Sequence, residues 1–218
     1  MNLLSVNLAR SIWLGPMLDL NPRGASLSHI LFQFLVDTYK FKKYPSPTEI
    51  VDLSNGVKFQ DGDFNIGNDF PILVNLSLHN DGVIADTHSS TNHSDAFLEE
   101  IYTRFCELFK MPNYQSVLRK KLHLSQVFVS TNKSLEIINP KLKQVSQYLA
   151  NTVGQGDRIF QLGGISFWPD QQDKFNPAPF TFERTINVPF SENRYYSAAP
   201  LQTDQHLELL DKLETILA

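Results

Sequence analysis

A run of alternating apolar and polar residues at 70–88, broken by a single turn, constrains the fold more than any other segment. Its apolar members share one parity and are Phe70, Ile72, Val74, Leu76 and Leu78. A period of two is typical of a strand with one buried face. Asn80-Asp81-Gly82 is a turn signal, and the segment 83–87, which begins with three apolar residues, follows it. The pattern predicts an antiparallel hairpin that packs one face against a core.

A period of two also predicts the other strands, and apolar residues at helical spacing predict the helices. Strands are expected at 3–14, 50–51, 57–59, 126–130, 159–168 and 180–188. Helices are expected from a Ser26 cap to Phe41, from a Ser94 cap to Lys110, from Pro140 to Asn151, and from a Thr203 cap to Leu217. The order is β-α-β-β-β-β-α and then β-α-β-β-α. Strands that come in runs between helices predict an α+β protein with a mixed, mainly antiparallel sheet or sheets and four main helices.

Three local expectations bear on the functional residues. Asp61-Gly62 is a turn dipeptide and is expected to join two short strands. The helix that starts at Pro140 is expected to turn Leu142, Val145 and Leu149 inward. The segment 189–206 is polar and aromatic, and we expect a long loop that leads into the last helix.

The length of 218 residues suits one large domain or two small ones. Since no low-complexity linker divides the chain, we expect one compact unit at 1–218. A division into two subdomains at 1–112 and 113–218 is the alternative. The two halves share a rough order of elements, which suggests a duplication at the level of topology. No repeat is visible at the level of residues.

Charge and composition narrow the classes of partner. The net charge is -4, and the basic patches Lys40, Lys42, Lys43 and Arg119, Lys120, Lys121 hold only three charges each. Because phosphate contacts supply most of the affinity for nucleic acids, a nucleic-acid role is not expected. The segment 1–20 is fairly apolar but has no basic start, and no run has the length of a membrane span. A soluble, cytoplasmic protein without a membrane partner is the default expectation.

The lone cysteine adds little chemistry. Cys106 has no second cysteine to pair with, so a disulfide within the chain is excluded. It lies in an apolar helical stripe, which favours a small buried side chain over a nucleophile.

The first candidate site is a cluster of histidine and aspartate around the hairpin. A two-residue loop at Asp81-Gly82 would make His79 and Asp86 diagonal neighbours, with His88 on the same face. Histidine and carboxylate ligands suit a divalent metal such as Zn or Mn. The interpretation gives His79, Asp86 and His88 as metal ligands. Asp81, His93 or Asp95, three polar residues nearby, would supply a further ligand or a base.

The cluster also has an explanation without chemistry. A three-residue loop would reverse the parity and scatter the side chains. Turn formation accounts for Asn80, Asp81 and Gly82, and helix capping accounts for Ser94 and Asp95. The spacing matches no established metal signature.

The second candidate is the polar and aromatic segment near the end of the chain. Arg184 and Arg194 could hold an anion by paired hydrogen bonds, with Tyr195 and Tyr196 as flat walls. Tyrosine and arginine are also frequent anchors of protein interfaces.

Familiar catalytic signatures are absent from the sequence, so no catalytic residue is assigned. The favoured hypothesis is a non-enzymatic binding or accessory subunit that contacts another protein or forms a homo-oligomer. Two alternatives stay open. One is a metal-dependent, phosphoester-type hydrolase that uses the cluster at 79–95. The other is a sensor of an anion or small ligand that uses Arg184 and Arg194, with no cofactor.

Overall fold

The computed structural model describes residues 1–16, 28–46, 56–67, 70–110, 113–153, 159–170 and 176–217. In these residues the strands are β1 (Asn2–Leu14), β2 (Val57–Phe64), β3 (Ile72–His79), β4 (Gly82–Thr87), β5 (Lys120–Ser130), β6 (Gly164–Phe167), β7 (Phe180–Arg184) and β8 (Arg194–Ala199). The α-helices are α1 (Ser28–Tyr39), α2 (Thr91–Phe109), α3 (Lys143–Thr152) and α4 (Thr203–Ile216). The expected Ser26 cap and the strand at 50–51 lie outside the described residues.

The strand order is β2-β3-β4-β1-β5-β8-β7-β6 in one sheet, and the strand pairs with a resolved register are antiparallel. The predicted α+β class with a mainly antiparallel sheet and four main helices is therefore confirmed. The described elements run β-α-β-β-β-α in the first half of the chain and again in the second. From one edge of the sheet to its middle the order is β2-β3-β4-β1, and from the other edge it is β6-β7-β8-β5. In each half of the chain these are the second, third, fourth and first strands. This agreement supports a duplication at the level of topology.

Asp61-Gly62 does not form the predicted turn but a bulge inside one strand. The pairing of β2 with β3 shifts between Phe59 and Gly62, and Asp61 has a φ of 57°. The Asp61 N–H donates to the side-chain oxygen of Asn75 at 2.9 Å. A Cβ at Gly62 would lie 2.5 Å from the Phe41 ring. The glycine is needed because that ring packs on the bulged strand.

Contacts divide the chain into two units. The hairpin unit comprises Leu8–Ser125 and Leu201–Thr203, and the α4 unit comprises Met1–Asn7, Gln126–Pro200 and Asp204–Ala218. Strands β1 and β5 each contribute residues to both. Neither unit is therefore one continuous stretch of chain.

In the hairpin unit, helices α1 and α2 pack on one face of the sheet. The core there is rich in aromatic rings and includes Trp13, Phe59 and Phe97, all with 0% exposure. Along β3 and β4, buried and partly exposed residues alternate, so the opposite face carries half-buried side chains such as Asn75 and Asp86. The predicted polar face is thus the face away from the helices.

In the α4 unit, helix α4 packs against the sheet through its leucines. Leu210, Leu213 and Leu217 are buried with Val127 and Phe182. The leucine stripe predicted for the last helix is therefore a core face, as its spacing indicated.

Helix α2 begins earlier than predicted. Ser90, not Ser94, is its N-cap, and the Ser90 hydroxyl accepts a hydrogen bond from the Asn92 N–H. The Thr91 N–H donates to the Thr203 hydroxyl at 3.0 Å, and the Thr203 N–H donates to the Thr91 hydroxyl at 2.8 Å. Both residues are buried, so each threonine satisfies a donor that the first turn of a helix leaves free.

Helix α3 has the predicted start, with Pro140 in a short 3-10 turn just before it, but the predicted orientation is wrong. Leu142, Val145 and Leu149 are exposed by 38%, 53% and 40% rather than turned inward. In the described parts of the chain, no helix is both long and apolar enough to cross a membrane.

Candidate functional site

The hairpin turn consists of Asn80 and Asp81, so the predicted loop at Asp81-Gly82 is wrong by one position and the pairing differs by two residues. His79 lies opposite Gly82, and Asn75 lies opposite Asp86. The reason is the close approach of β1, because a Cβ at Gly82 would lie 2.5 Å from the Trp13 carbonyl oxygen. The glycine is therefore needed in the strand and not in the turn.

This register moves His79 away from the predicted position diagonal to Asp86. Both oxygens of Asp86 accept from Arg10, from Nε at 2.7 Å and from Nη2 at 2.8 Å. The ring of His79 packs where Gly56 leaves room, since a Cβ at Gly56 would lie 2.3 Å from His79 Cε1. His88 is exposed at the end of the hairpin. His79 and Asp86, which the metal hypothesis needs as diagonal neighbours, are therefore not adjacent.

Among the described residues, no three histidine, cysteine, aspartate or glutamate side chains are placed to hold one metal ion. His93 Nδ1 lies 2.9 Å from the Ser89 hydroxyl, close to the start of α2. The metal hypothesis for His79, Asp86 and His88, and the hydrolase that depends on it, stay predictions without a gathered ligand set.

Asp95 is the centre of a polar cluster that the sequence does not reveal. Its Oδ1 accepts from Trp13 Nε1 at 2.8 Å, and its Oδ2 lies 2.8 Å from His123 Nε2. Burial acts to raise the pKa of Asp95, but hydrogen bonds from His123, Trp13 and Ser11 outweigh it, and the pKa lies below its ordinary value. The Lys121 ammonium lies 3.7 Å from the centre of the Trp13 ring.

The cluster resembles a catalytic arrangement only in part. The Ser11 and Ser94 hydroxyls lie 2.8 Å apart, and both can donate to the Thr91 carbonyl. Within the described parts of the chain, neither serine bonds to His123, so the base that would activate a nucleophilic serine is not in place. These contacts instead fix the start of α2 against β1 and β5.

The segment predicted as a long loop contains strand β8, and this strand separates the two tyrosines. Tyr195 is completely buried, and its ring stacks on Phe182 at 4.5 Å between ring centres. Tyr196 points to the opposite face and contacts Phe128. Arg194 is exposed and forms an ion pair with Glu192 at 2.9 Å. Burial raises the pKa of Tyr195, which fits a side chain of the core.

Of the residues in the second candidate site, Arg184 has a side chain that is fixed by several contacts. Its Nη2 donates to Gln161 Oε1 at 2.8 Å, and its Nη1 donates to the Phe190 carbonyl at 3.3 Å. Its guanidinium carbon lies 4.8 Å from the centre of the Phe190 ring and 5.3 Å from that of Tyr195. Within the described chain, Arg184 makes no ion pair with a carboxylate.

Within the described chain, two buried polar atoms have no hydrogen-bond partner, namely Arg184 Nε, which belongs to this guanidinium, and Thr185 Oγ1 of the next residue. An unpaired buried donor or acceptor carries a free-energy cost of about 1–3 kcal/mol. Both residues line an open cavity of about 540 Å³, together with Gln161, Ile165, Val188 and Phe190. The cavity therefore combines a positive charge, unsatisfied polar groups and apolar walls.

A second surface, which the sequence analysis does not identify, is the apolar stripe of α3. We call it the α3 face, and it consists of Leu142, Val145, Tyr148, Leu149 and Val153. These side chains are exposed by 38–70%. The least exposed residues of the helix are Ser146 and Ala150, so α3 rests on small residues. The helical spacing of apolar residues, which led to the prediction of an inward-facing helix, is the sequence signal for this exposed face.

In comparisons of the sequence with known proteins, no family model matches the chain, and no curated protein matches it significantly.

Proposed function

We propose that the protein is a cytoplasmic, non-enzymatic binding or accessory subunit, and that the α3 face is its contact surface for another protein. One observation carries the proposal, which is that an amphipathic helix leaves its whole apolar stripe exposed. Val145 and Tyr148 are exposed by 53% and 70%. Contiguous apolar surface of this kind marks interaction sites on soluble proteins.

The stability of α3 supports the same conclusion. The helix has ten residues, and none of them is buried. Isolated helices of fewer than about 12–15 residues are marginal in water, because packing of an apolar face supplies most helix stability. A partner that covers the α3 face would supply that packing.

The charges beside the α3 face indicate the chemistry of the partner. Lys141 and Lys143 flank Leu142, the first residue of the α3 face, and the segment 139–153 contains no acidic residue, although the chain as a whole has a net charge of -4. A second copy of this face would offer these lysines no carboxylate, because the segment has none. We therefore propose a different protein that presents an apolar helix or strip with acidic residues at its edge.

The proposal is tested by photo-crosslinking from position 148 in cells, with a benzophenone amino acid in place of Tyr148, followed by mass spectrometry of the joined peptides. We expect one partner whose crosslinked segment is apolar with acidic flanks. Crosslinking should be lost in the Val145→Glu variant and reduced in the Lys143→Glu variant. The Ile216→Glu variant is the matched control, because Ile216 is an apolar residue of α4 that is 75% exposed.

Three outcomes would count against the proposal. One is the absence of any specific crosslink, and another is a partner that the Val145→Glu and Ile216→Glu variants retain equally. A crosslink to a second copy of the chain would replace the proposed partner by self-association, which light scattering after size-exclusion chromatography would measure directly.

A further inference from the structure

We infer that the cavity beside Arg184 binds a small organic monocarboxylate with an apolar body. The inference concerns a different surface from the α3 face and does not depend on it. It rests on the charge of Arg184, on two unpaired polar atoms and on the walls of the cavity.

The charge of Arg184 is the first part of the evidence. Its guanidinium lies over the rings of Phe190 and Tyr195. Gln161 and the Phe190 carbonyl, its hydrogen-bond acceptors, are both neutral. A half-buried guanidinium without a counterion is an electrostatic cost that a bound anion would relieve.

The two buried polar atoms without hydrogen-bond partners are the second part of the evidence for a bound anion. Arg184 Nε and Thr185 Oγ1 are buried and unpartnered within the described chain, and the residues that carry them line the cavity. Buried polar atoms without partners are rare in folded proteins. A carboxylate placed at Arg184 would offer acceptors to this part of the wall after a small adjustment of the side chains.

The other walls select the class of anion. Ile165, Val188 and Phe190 make part of the lining apolar, which favours an organic body. Glu183, whose side chain is exposed, also lines the cavity and disfavours a doubly charged group. The single arginine can offset one negative charge on a ligand, and the Glu183 carboxylate would repel a second one, so a carboxylate fits better than a phosphate. The volume of about 540 Å³ is in the range of sites for small molecules.

The experiment is a titration of the full chain with sodium benzoate, followed by two-dimensional NMR. Benzamide serves as the neutral analogue and inorganic phosphate as the dianion. We expect benzoate to shift the signals of the Arg184 Nε–H and of the Gly163 and Gly164 amides. Benzamide and phosphate should bind at least about tenfold more weakly, since a hydrogen bond to a charged group contributes about 1.5–3 kcal/mol.

Variants locate the site. Arg184→Gln should weaken benzoate binding about tenfold or more, whereas Arg194→Gln should leave it unchanged because Arg194 pairs with Glu192 and does not line the cavity. Gly163→Leu provides a second route that keeps Arg184 in place. Gly163 lines the cavity, and a Cβ there would meet no atom within 4 Å, so a leucine is accommodated at the cavity wall without a clash.

Four results would overturn the inference. They are the absence of benzoate binding, equal binding of benzoate and benzamide, preferential binding of phosphate, and benzoate binding that Gly163→Leu leaves intact. Retention of the native NMR spectrum in Gly163→Leu shows that the variant is folded, so a loss of binding there supports the cavity even if Arg184→Gln is unstable.

Discussion

Helices α3 and α4 belong to the same unit and have similar apolar spacing, yet their surroundings are opposite. In α4, Leu210 and Leu213 are exposed by 1% and 9%. In α3, Val145 and Leu149 are exposed by 53% and 40%. The spacing of apolar residues therefore predicts which face of a helix is apolar, but it does not predict whether the same chain covers that face.

The first way to test the comparison is truncation of a leucine in each helix. Leu210→Ala should lower the free energy of unfolding by about 2–5 kcal/mol, because it leaves a cavity in a packed core. Urea unfolding followed by circular dichroism measures this loss. Leu135→Ala is a matched control from the same core, and a loss below about 1 kcal/mol for Leu210→Ala would show that α4 is not packed as described.

The second test uses the buried histidine of α4. The Ser197 hydroxyl donates to the Thr181 carbonyl, so its oxygen accepts from His206 Nε2 at 2.9 Å. Burial lowers the pKa of His206 to about 4, from an ordinary value of 6.5. Between these values the unfolded chain binds the proton and the folded chain does not. The stability is thus complete above pH 6.5 and is lost as the pH falls toward 4.

The expected loss over this pH range is about 3 kcal/mol, which follows from the difference between the two pKa values. Unfolding free energies measured at several pH values should show it in the wild type and in the His88→Gln control, whose histidine is exposed. The His206→Gln variant should lose less stability over the same range. A His206 ring that NMR shows to titrate near pH 6.5 would contradict the prediction.

The smallest effect is expected on the α3 face. Leu149→Ala should change the free energy of unfolding of the isolated protein by less than about 0.5 kcal/mol, because the side chain is 40% exposed and α3 buries no residue. The same denaturation experiment measures it at two protein concentrations. A loss comparable to that of Leu210→Ala would mean that the face is covered, and a loss that depends on concentration would mean that copies of the chain cover it.

The sequence predicts the fold class because alternation and helical spacing are local signals. The hairpin at 70–88 and the α4 leucine stripe are examples, and both are present where the pattern places them. The predicted Asp61-Gly62 turn fails for a non-local reason, since Gly62 is required by the Phe41 ring. Strand β8 is not predicted because it is short and follows the polar residues Ser191, Glu192 and Asn193, which resemble a loop.

The candidate site was harder to predict for the same reason. Arg184 was identified, but its acceptors on Gln161 and Phe190 come from positions that no periodicity connects to it. Asp95 was identified without His123 and Trp13, which β5 and β1 bring to it from far along the chain. The metal ligands were grouped by proximity in sequence, and the requirement for Gly82 beside Trp13 changed their register.

The paired threonines at the starts of α2 and α4 have a consequence for how the chain folds during synthesis. The buried Thr91 N–H donates to the hydroxyl of Thr203, and Thr203 is synthesised more than a hundred residues after Thr91. Until that residue leaves the ribosome, the first turn of α2 has a donor without its acceptor. In the same way, one edge of β1 stays unpaired until β5 has been synthesised. Contacts so distant in sequence slow folding. A nascent chain that stops short of residue 203 would therefore remain a substrate for chaperones and proteases.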